Sequence, residues 1–426
     1  MTRRIASRTL AALAAVGALT VLAQLVIVGG PGAGSSASLP LAPPALGVRV
    51  AGNGLVDVLG RTVQLRGVNR PGTEYRCVAY DPGFASDDNG ADGKSPSYAT
   101  TIATSLLRWN KLLATTDAIN TVRVPLNEDC WLGINGVDPA YSGVAYQTFI
   151  KREVAALTGA GMYAVLDLHW SAPGAQVSTS QDVGPDADHA VAFWQGVATA
   201  FRDNLGVLFD LYNEPRIGCS TAACAADYGT LVRTAWGCYR EGCDYTYTAA
   251  DGVPNRVVGT TFRIVGTSTL VRAIRGTGAT NVIVVEGGGY GNDLWNWMDY
   301  RPTDADGSVD KGLVAELHAY PSSGVNVNDT ARLDDMIGRV APSTPVYVGE
   351  FGAGVCGPAD DFTARTMAWA DAHGYGYTAW GWDQGEGGRC VNGQPDGGLS
   401  LVTNDVTGAT TSYGAVVKQH LQDRET

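Results

Sequence analysis

The sequence predicts an α/β fold, a (β/α)8 TIM barrel with an N-terminal β-hairpin and enlarged loops. Strand-like apolar runs alternate with helical patterns until eight strands have been counted after residue 46, and most of these runs end in polar or aromatic side chains. A doubly wound sheet normally uses fewer strands, and a parallel barrel brings all its strand ends to one opening. We therefore expect one large barrel whose chemistry lies at that opening.

The predicted elements follow the chain in order. Short strands at 48–50, 55–58 and 62–65 form the hairpin and lead through Arg66–Asn69 into the barrel. Later strands are predicted at 119–124, 163–168, 207–212, 282–285, 313–317, 346–348 and 375–380. Helices are predicted at 98–113, 146–157, 190–201, 261–274, 330–340, 362–373 and 413–421. Pro125 is expected to end its strand, because proline has no N–H to donate.

The first 37 residues predict an export signal. Arg3, Arg4 and Arg8 precede an apolar run, and small residues then lead to a cleavage site expected after Ala37. An uncleaved membrane anchor is the alternative, because the apolar run is long for a signal peptide. Residues 38–45 form a linker to the catalytic barrel predicted at 46–426. We therefore expect a secreted, extracellular protein.

The charge, glycine pattern and cysteine content argue against nucleic acid, nucleotide and zinc as ligands of this protein. The chain has 42 acidic and 30 basic residues and a net charge of -12, so nucleic acid is a poor partner. The glycine-rich stretch at 287–291 lacks a phosphate-loop context, so no nucleotide is expected. Eight cysteines favour disulfides over a zinc site, because no CxxC motif occurs. Their pairing stays open, although Cys219/Cys224 and Cys238/Cys243 are spaced to close local loops.

Two carboxylates stand at the ends of strongly apolar runs. Glu214 follows the strand predicted at 207–212, and Glu350 follows the one at 346–348. In a parallel barrel these side chains could face each other across the opening. Opposed carboxylates suit cleavage of a glycosidic bond, since one acid protonates the leaving oxygen and one carboxylate meets the oxocarbenium-like carbon.

Seven short motifs, in family order, resemble those of glycoside hydrolase family 5, the cellulase family within the clan A retaining glycosidases. They are Arg66-Gly-Val-Asn69, Val122-Arg-Val-Pro125, Asp167-Leu-His-Trp170, Leu211-Tyr-Asn-Glu-Pro215, Leu317-His-Ala-Tyr320, Val348-Gly-Glu-Phe-Gly352 and Ala379-Trp-Gly-Trp382. The resemblance covers nearly the whole predicted barrel. It implies a retaining hydrolase without cofactor or metal, in which Glu214 is the general acid/base and Glu350 the nucleophile.

The resemblance also implies substrate-binding or positioning roles for polar and aromatic residues at the strand ends. They are Arg123 and Tyr320 beside Glu350, Asn213 on the sugar 2-hydroxyl, His169 and His318 on the polar floor, and Trp380 under the sugar, with Trp170 and Trp382 as further candidates. Arg123 and Tyr320 would favour an ionised Glu350, and the charge of Glu350 would raise the pKa of Glu214. A retaining pair should lie about 5 to 5.5 Å apart, against roughly 6.5 to 9.5 Å for inversion.

The remaining aromatic and acidic residues receive weaker assignments. Trp109, Trp194, Trp236 and Trp369 fall in helical patterns and are expected in the core, whereas Trp131, Trp295 and Trp297 are candidates for sugar subsites. Glu286, Glu128 and Asp129 are expected at the rim of the cleft or in contact with the substrate, and not as catalytic groups.

The leading hypothesis is that the protein is an endo-β-1,4-glucanase whose substrate is a plant-type polysaccharide. We expect it to act as a monomer. A β-mannanase, a xylanase or an exo-acting β-glucanase are the alternatives, because loops and not the fold set the substrate. The long segment at 216–259 is expected beside Glu214, where it could close one end of the cleft. A carbohydrate-binding barrel without turnover, and a metal-dependent hydrolase that uses His169 and His318, are alternatives of other classes.

Overall fold

The structure is a computed structural model. It describes residues 46–78, 98–110, 119–216, 228–321, 327–354, 361–383, 390–391, 394–395 and 398–424. The predicted leader and linker lie outside these residues. Within the described part of the chain, no helix is long and apolar enough to cross a membrane. Export and cleavage after Ala37 remain predictions.

The strands are numbered in chain order. They are β1 (Val48–Ala51), β2 (Gly54–Asp57), β3 (Thr62–Val63), β4 (Arg66–Asn69), β5 (Thr121–Asn127), β6 (Tyr163–Trp170), β7 (Val207–Asp210), β8 (Gly242–Thr246), β9 (Thr261–Val265), β10 (Ile283–Glu286), β11 (Leu313–Ala319), β12 (Val346–Phe351), β13 (Gly376–Ala379), β14 (Cys390–Val391), β15 (Gln394–Pro395), β16 (Val402–Asn404) and β17 (Ala409–Thr410). Strands β4 to β7 and β10 to β13 are parallel and close into one barrel, which confirms the predicted fold class.

Helices join most of the barrel strands. They are α1 (Tyr98–Leu107), α2 (Glu128–Leu132), α3 (Val144–Gly159), α4 (Ala190–Phe201), α5 (Tyr228–Glu241), α6 (Thr267–Gly276), α7 (Gly288–Gly291), α8 (Thr330–Ile337), α9 (Asp361–His373) and α10 (Ser412–Gln422), with a 3-10 turn at Ala249–Asp251. Outward-facing strand residues such as Ala164, Leu166 and Leu168 pack against these helices in the main apolar core. That burial is the principal source of stability for such a barrel.

The three predicted N-terminal strands are present and contribute to the core of the barrel. Strands β1, β2 and β3 form an antiparallel sheet. Val48 and Leu55 from this sheet join a second apolar cluster that contains Val165, Leu208 and Val284 of the barrel strands. We conclude that the hairpin covers the lower end of the barrel, and that the opposite end is left for the site.

The interior of the barrel changes from apolar to charged along its axis. Side chains two residues apart point to the same face of a strand. Two positions beyond the apolar residues Val165, Leu208, Val284 and Val314, the inward-facing positions hold carboxylates, and all four are buried: Asp167, Asp210, Glu286 and Glu316. The charged layer therefore lies inside the barrel and not only at the strand tips.

Pro125 does not end its strand as predicted, because β5 runs through it to Asn127. The neighbouring strand β4 ends at Asn69, which pairs with Arg123. Beyond that point β5 has no ladder partner on the β4 side, so the missing N–H of proline costs no hydrogen bond there. The extension carries Asn127, whose side chain accepts from the first amides of α2.

The helix predicted at 261–274 is divided into a strand and a helix. Strand β9 pairs with β8 in an antiparallel hairpin, and α6 begins only at Thr267. Exposed and buried residues alternate from Thr261 to Ile264, which is the period of a strand. Gly266 separates the two elements, and a Cβ there would lie 2.3 Å from the carbonyl oxygen of Arg240.

Two disulfides are described. Cys77 bonds Cys130 across 53 residues, and Cys238 bonds Cys243 across five residues, which is one of the local closures that the spacing allowed. Cys219, Cys224 and Cys356 lie outside the described residues, as does the side chain of Cys390. Disulfides suit an oxidising compartment, so these two bonds are compatible with an extracellular protein.

Candidate active site

Glu350 is held by residues from two other barrel strands or their ends. It lies on β12 and is 4% exposed. Arg123 Nη1, from β5, lies 2.8 Å from Glu350 Oε1. The hydroxyl of Tyr320, directly after β11, donates to Glu350 Oε2 at 2.8 Å. The structure thus brings together the three residues that were expected to meet, and both carboxylate oxygens have a fixed partner.

Glu214 lies four residues beyond the end of β7 in a left-handed backbone conformation, with a φ of 47°. Its backbone N–H donates to Glu286 Oε2 at 2.6 Å. Its side chain accepts from Gln181 Nε2 at 2.9 Å and lies 3.1 Å from His318 Nδ1. Non-glycine residues rarely adopt this conformation, so the contact with Glu286 is what holds the turn.

The two carboxylates and His318 form one cluster. One oxygen of Glu214, one of Glu350 and one ring nitrogen of His318 lie within 4.8 Å of one another. His318 Nδ1 is 3.1 Å from Glu214 Oε1 and 3.5 Å from Glu350 Oε2. The limit of 4.8 Å is shorter than the separation of roughly 6.5 to 9.5 Å that is typical of an inverting pair.

The expected direction of the pKa shift at Glu214 is wrong for the unliganded molecule. Burial raises the pKa of Glu214, but the hydrogen bond and positive charge of His318, with the hydrogen bond from Gln181, lower it overall. Burial in turn lowers the pKa of His318, but the charges of Glu286 and Glu350 outweigh burial and raise it well above its usual value. Both shifts favour a protonated His318 beside an ionised Glu214. The contact between these two residues was not predicted from the sequence.

Arg123 is the centre of the charged layer. It is fully buried and contacts four carboxylates, those of Asp167, Asp210, Glu316 and Glu350, at 2.6, 2.9, 3.5 and 2.8 Å. Burial lowers the pKa of Arg123, but these charges raise it well above its usual value. One guanidinium cannot neutralise four anions, and burial together with the charge of Glu316 raises the pKa of Asp210 well above its usual value. We conclude that part of this layer is protonated.

Sequence reasoning missed Asp210 and Glu316. A signal was available: each carboxylate interrupts an apolar strand, two positions after an inward-facing valine or leucine. Asp210 also lies directly opposite Asp167 in the register of β6 and β7. A charged residue in a fully buried strand needs a partner, and Arg123 was the available cation.

Asn213 and His169 are both buried and tied to Arg123. Asn213 Oδ1 accepts from Arg123 Nη2 at 2.9 Å, whereas its Nδ2 has no hydrogen-bond partner among the described residues. His169 Nδ1 lies 3.1 Å from Asp167 Oδ2, and Asp167 also pairs with Arg123. Burial lowers the pKa of His169, but the charge of Asp167 outweighs burial and raises it. The side chain of Asn213 is thus oriented by Arg123.

Two of the predicted aromatic contacts are partly exposed, as sugar binding requires. Trp380 stacks on His169 with ring centroids 5.4 Å apart, and Trp170 meets Tyr75 edge-on at 4.6 Å. Trp382 is wrong as a sugar contact, because it is completely buried and packs on Trp109 with centroids 4.8 Å apart.

The other tryptophan predictions divide in the same way. Trp109, Trp194, Trp236 and Trp369 are buried, which confirms their assignment to the core. Trp131 and Trp297 are also buried and are therefore wrong as subsite candidates, whereas Trp295 is partly exposed and lies under Arg339. Spacing near a strand end did not distinguish inward from outward side chains.

The three acidic residues expected at the rim are instead buried. Glu286 supports the backbone of Glu214, as described above. Glu128 Oε1 accepts from the amide of Ala172 at 2.7 Å, and Asp129 Oδ2 accepts from that of Ser178 at 2.8 Å. Each carboxylate therefore accepts a hydrogen bond from the backbone of a neighbouring segment and holds that segment in place.

The described part of the segment at 216–259, which was predicted to lie beside Glu214, contacts a neighbouring segment that in turn contacts Glu214. Arg256 Nε lies 2.8 Å from Asp182 Oδ2, and the hydroxyl of Tyr247 donates to the same oxygen at 2.9 Å. Asp182 is next to Gln181, which contacts Glu214. The part of the insertion that the structure describes thus supports the segment on which Gln181 lies.

The metal-dependent alternative required His169 and His318 to meet on one ion. His169 instead bonds Asp167 and stacks on Trp380. Among the described histidine, cysteine and acidic side chains, those grouped at this site are Glu214, His318 and Glu350, and two of them are the expected catalytic carboxylates.

Known proteins give an independent comparison. Residues 87–386 match the family model "Cellulase (glycosyl hydrolase family 5)". A mannan endo-1,4-beta-mannosidase from Cellvibrio japonicus (strain Ueda107) is 28% identical over 145 residues, which are 34% of this chain and 31% of that protein. The matched region thus spans only about a third of that relative's length.

Solved structures agree on the fold. A beta-glucanase from Saccharophagus degradans is similar with a TM-score of 0.55 and 19% identity, over 90% of this chain and 95% of that chain. A beta-mannanase from Thermomonospora fusca is similar with a TM-score of 0.54 and 19% identity, over 88% of this chain and 95% of that chain. The family model covers more than half of the sequence and the fold agrees with it, so the chain belongs to glycosyl hydrolase family 5.

Proposed function

We propose that the protein is a secreted, monomeric, retaining endo-β-1,4-glycanase, with Glu350 as nucleophile and Glu214 as general acid/base. The observation that carries this proposal is the close approach of their carboxylate oxygens, within 4.8 Å, which suits direct attack on the anomeric carbon. Arg123 and Tyr320 orient Glu350 for that attack. Asn213 would bind the sugar 2-hydroxyl through its unpaired N–H2.

The proton that the leaving group needs is held beside Glu214. The pKa shifts favour this proton on His318, whose Nδ1 lies 3.1 Å from Glu214 Oε1 and can pass it to that carboxylate. When Glu350 becomes esterified, its negative charge disappears and the cluster loses one anion. Glu214 can then accept a proton from water in the second step, as a retaining mechanism requires.

A β-1,4-glucan is the first candidate substrate, and a β-1,4-mannan is the second. The cellulase family model supports the first, and the partial match to a mannan endo-1,4-beta-mannosidase supports the second. Both polymers present the equatorial β-linkage that a two-carboxylate cleft accepts, and they differ at the 2-hydroxyl that Asn213 would contact.

The decisive experiment is a polysaccharide panel with analysis of product length and anomeric form. We expect soluble cellulose derivatives or mixed-linkage glucan to yield a range of oligosaccharides whose first-formed anomer is β. Faster cleavage of mannan would move the assignment to the second candidate. A single short product would replace the endo mode by an exo mode, and a first-formed α-anomer would exclude the retaining mechanism.

A further inference from the structure

One buried carboxylate lies beneath both halves of the candidate active site. Glu316 is on β11, two residues before His318, and is completely buried. Its Oε1 lies 3.5 Å from Arg123 Nε and 3.7 Å from His318 Nε2. Arg123 contacts Glu350, and His318 contacts Glu214. A single carboxylate oxygen therefore approaches the two basic side chains that hold the candidate nucleophile and the candidate acid/base.

The polar atoms that Glu316 and His318 turn towards each other are not otherwise used. Neither oxygen of Glu316, nor Nε2 of His318, has a hydrogen-bond partner among the described residues. All three atoms are buried, and a buried polar atom without a partner is costly. Opposite charges on the two groups offset that cost, because charges 3.7 Å apart attract each other strongly where water is excluded.

The backbone of β12 leaves the space that the Glu316 side chain occupies. Gly349 lies in this strand, directly before Glu350. A Cβ at Gly349 would lie 1.5 Å from Glu316 Oε1 and 2.5 Å from its carboxyl carbon. Any side chain at position 349 would therefore displace the carboxylate. The glycine permits the position from which Glu316 reaches both basic groups.

The other titratable groups that interact with Glu316 are expected to be neutral. Burial and the charge of Glu316 raise the pKa of Asp210 well above its usual value, and they do the same to the pKa of Glu286. Burial also raises the pKa of the Tyr347 and Tyr239 hydroxyls, on which the charge of Glu316 acts in the same direction. Within this set, the negative charge is therefore placed on Glu316.

We propose that Glu316 is a positioning residue that keeps His318 protonated and oriented towards Glu214. It acts through His318, and the inference rests on the proposed acid/base role of Glu214. Burial lowers the pKa of His318, but the surrounding carboxylates, with Glu286 first and Glu316 among them, raise it well above its usual value. Nδ1 of the ring lies 3.1 Å from Glu214, and the other ring nitrogen faces Glu316. The imidazole is thus held between the two carboxylates.

The charge of Glu316 also sets the pH at which the site loses the proton needed by the leaving group. A negative charge stabilises a nearby proton, whether that proton is on His318 or on Glu214. Glu316→Gln removes the charge and nearly keeps the shape of the side chain. The alkaline limb of kcat/KM reports loss of this proton, so it should move to lower pH by about one unit or more.

The direct test follows the His318 imidazole by NMR in unliganded full-chain protein labelled with nitrogen-15 histidine, and His318→Gln assigns its signals. We expect a protonated ring at pH 7 in the unchanged protein, and in Glu316→Gln a deprotonation at a pH lower by about one unit or more. Glu153→Gln, which neutralises a buried carboxylate paired with Arg70, is the matched control and should leave this titration unchanged. Identical titration in Glu316→Gln and the unchanged protein, or a neutral ring at pH 7 in the unchanged protein, would overturn the proposal.

Gly349→Ala tests the position of the carboxylate and is the second variant should Glu316→Gln fail to fold. Its methyl group displaces the Glu316 carboxylate, so the His318 titration should move in the same direction as in Glu316→Gln. Adding Gly349→Ala to Glu316→Ala should cause little further shift, because the displaced group is already absent. Additive shifts would show that Glu316 does not act from this position and would overturn the proposal.

These measurements separate the role of Glu316 from the proposed function. The NMR titration needs no substrate, so it decides the contact with His318 whatever the reaction is. An inactive Glu350→Gln together with an unchanged alkaline limb in Glu316→Gln would overturn only the role of Glu316. An active Glu350→Gln would overturn the proposed function, and with it the part of this inference that concerns the acid/base.

Discussion

The two carboxylates of the cleft are held in different ways. Glu350 lies within β12, and its partners Arg123 and Tyr320 belong to β5 and to the residue after β11. Glu214 lies beyond the end of β7, in a left-handed conformation, and Gln181, one of its partners, comes from a segment without regular structure. The barrel itself orients the candidate nucleophile, whereas loops complete the surroundings of the candidate acid/base.

This difference means that the residues that position Glu350 are not the residues that adjust the pKa of Glu214. A group on a strand has little freedom, and Arg123 and Tyr320 also hold both oxygens of Glu350. The positive φ of Glu214 costs on the order of 1 to 3 kcal/mol and persists only because neighbours such as Glu286 hold it. Loop residues can therefore adjust the pKa and orientation of Glu214 without disturbing Glu350.

The largest expected effect is at Glu350. Glu350→Gln keeps the shape of the side chain but removes the nucleophile, so we expect kcat on polysaccharide to fall on the order of 10⁵-fold. The melting temperature should change little. Glu241→Gln, at an exposed glutamate, is the control. Retention of activity by Glu350→Gln would place the nucleophile elsewhere.

A smaller loss is expected at Glu214, and it should depend on the leaving group. Glu214→Ala should reduce polysaccharide hydrolysis by about 10³-fold, because the acid and the base are both missing. Activated aryl glycosides need no acid, so they should still form the glycosyl-enzyme and show a burst of released phenol followed by slow turnover. An equal loss on both substrate classes would contradict the acid/base role.

The segment that carries Gln181 should depend on the buried ion pair beside it. Arg256→Met leaves Asp182 buried without its cation, and we expect the free energy of unfolding to fall by about 3 kcal/mol in urea denaturation. Arg263→Met is the matched control, because its pair with Asp244 is exposed and should contribute under about 1 kcal/mol. Similar losses in both variants would show that Arg256 gives no special support.

The smallest effect concerns the pH profile. Gln181 donates to the ionised carboxylate of Glu214 and lowers its pKa. Gln181→Ala should therefore raise that pKa, and the alkaline limb of kcat/KM, which needs a proton available for the leaving group, should move to higher pH. We expect a loss of about 10-fold or less at the optimum. Gln419→Ala, at an exposed residue, is the control and should leave the pH profile unchanged. An unchanged pH profile in Gln181→Ala would show that this contact does not influence the pKa of Glu214.

Local pattern explains which predictions succeeded. The alternation of apolar strands and helical stretches is a property of neighbouring residues, and it was enough to predict the closed parallel barrel of eight strands. Glu350, Arg123 and Tyr320 meet as expected because parallel strands bring their ends to one opening. Trp382 failed because an aromatic residue after a strand can turn either to the cleft or to the core, and here it packs on Trp109.

The sequence by itself determined the fold class, the positions of Glu214 and Glu350, and the family. Only the tertiary structure decided which side chains share a proton. His318 lowers the pKa of Glu214 through a contact between residues 104 positions apart, and Arg123 meets Asp210 and Glu316 inside the barrel. Electrostatic interactions depend on distance and burial in three dimensions, and the order of residues along the chain does not contain either quantity.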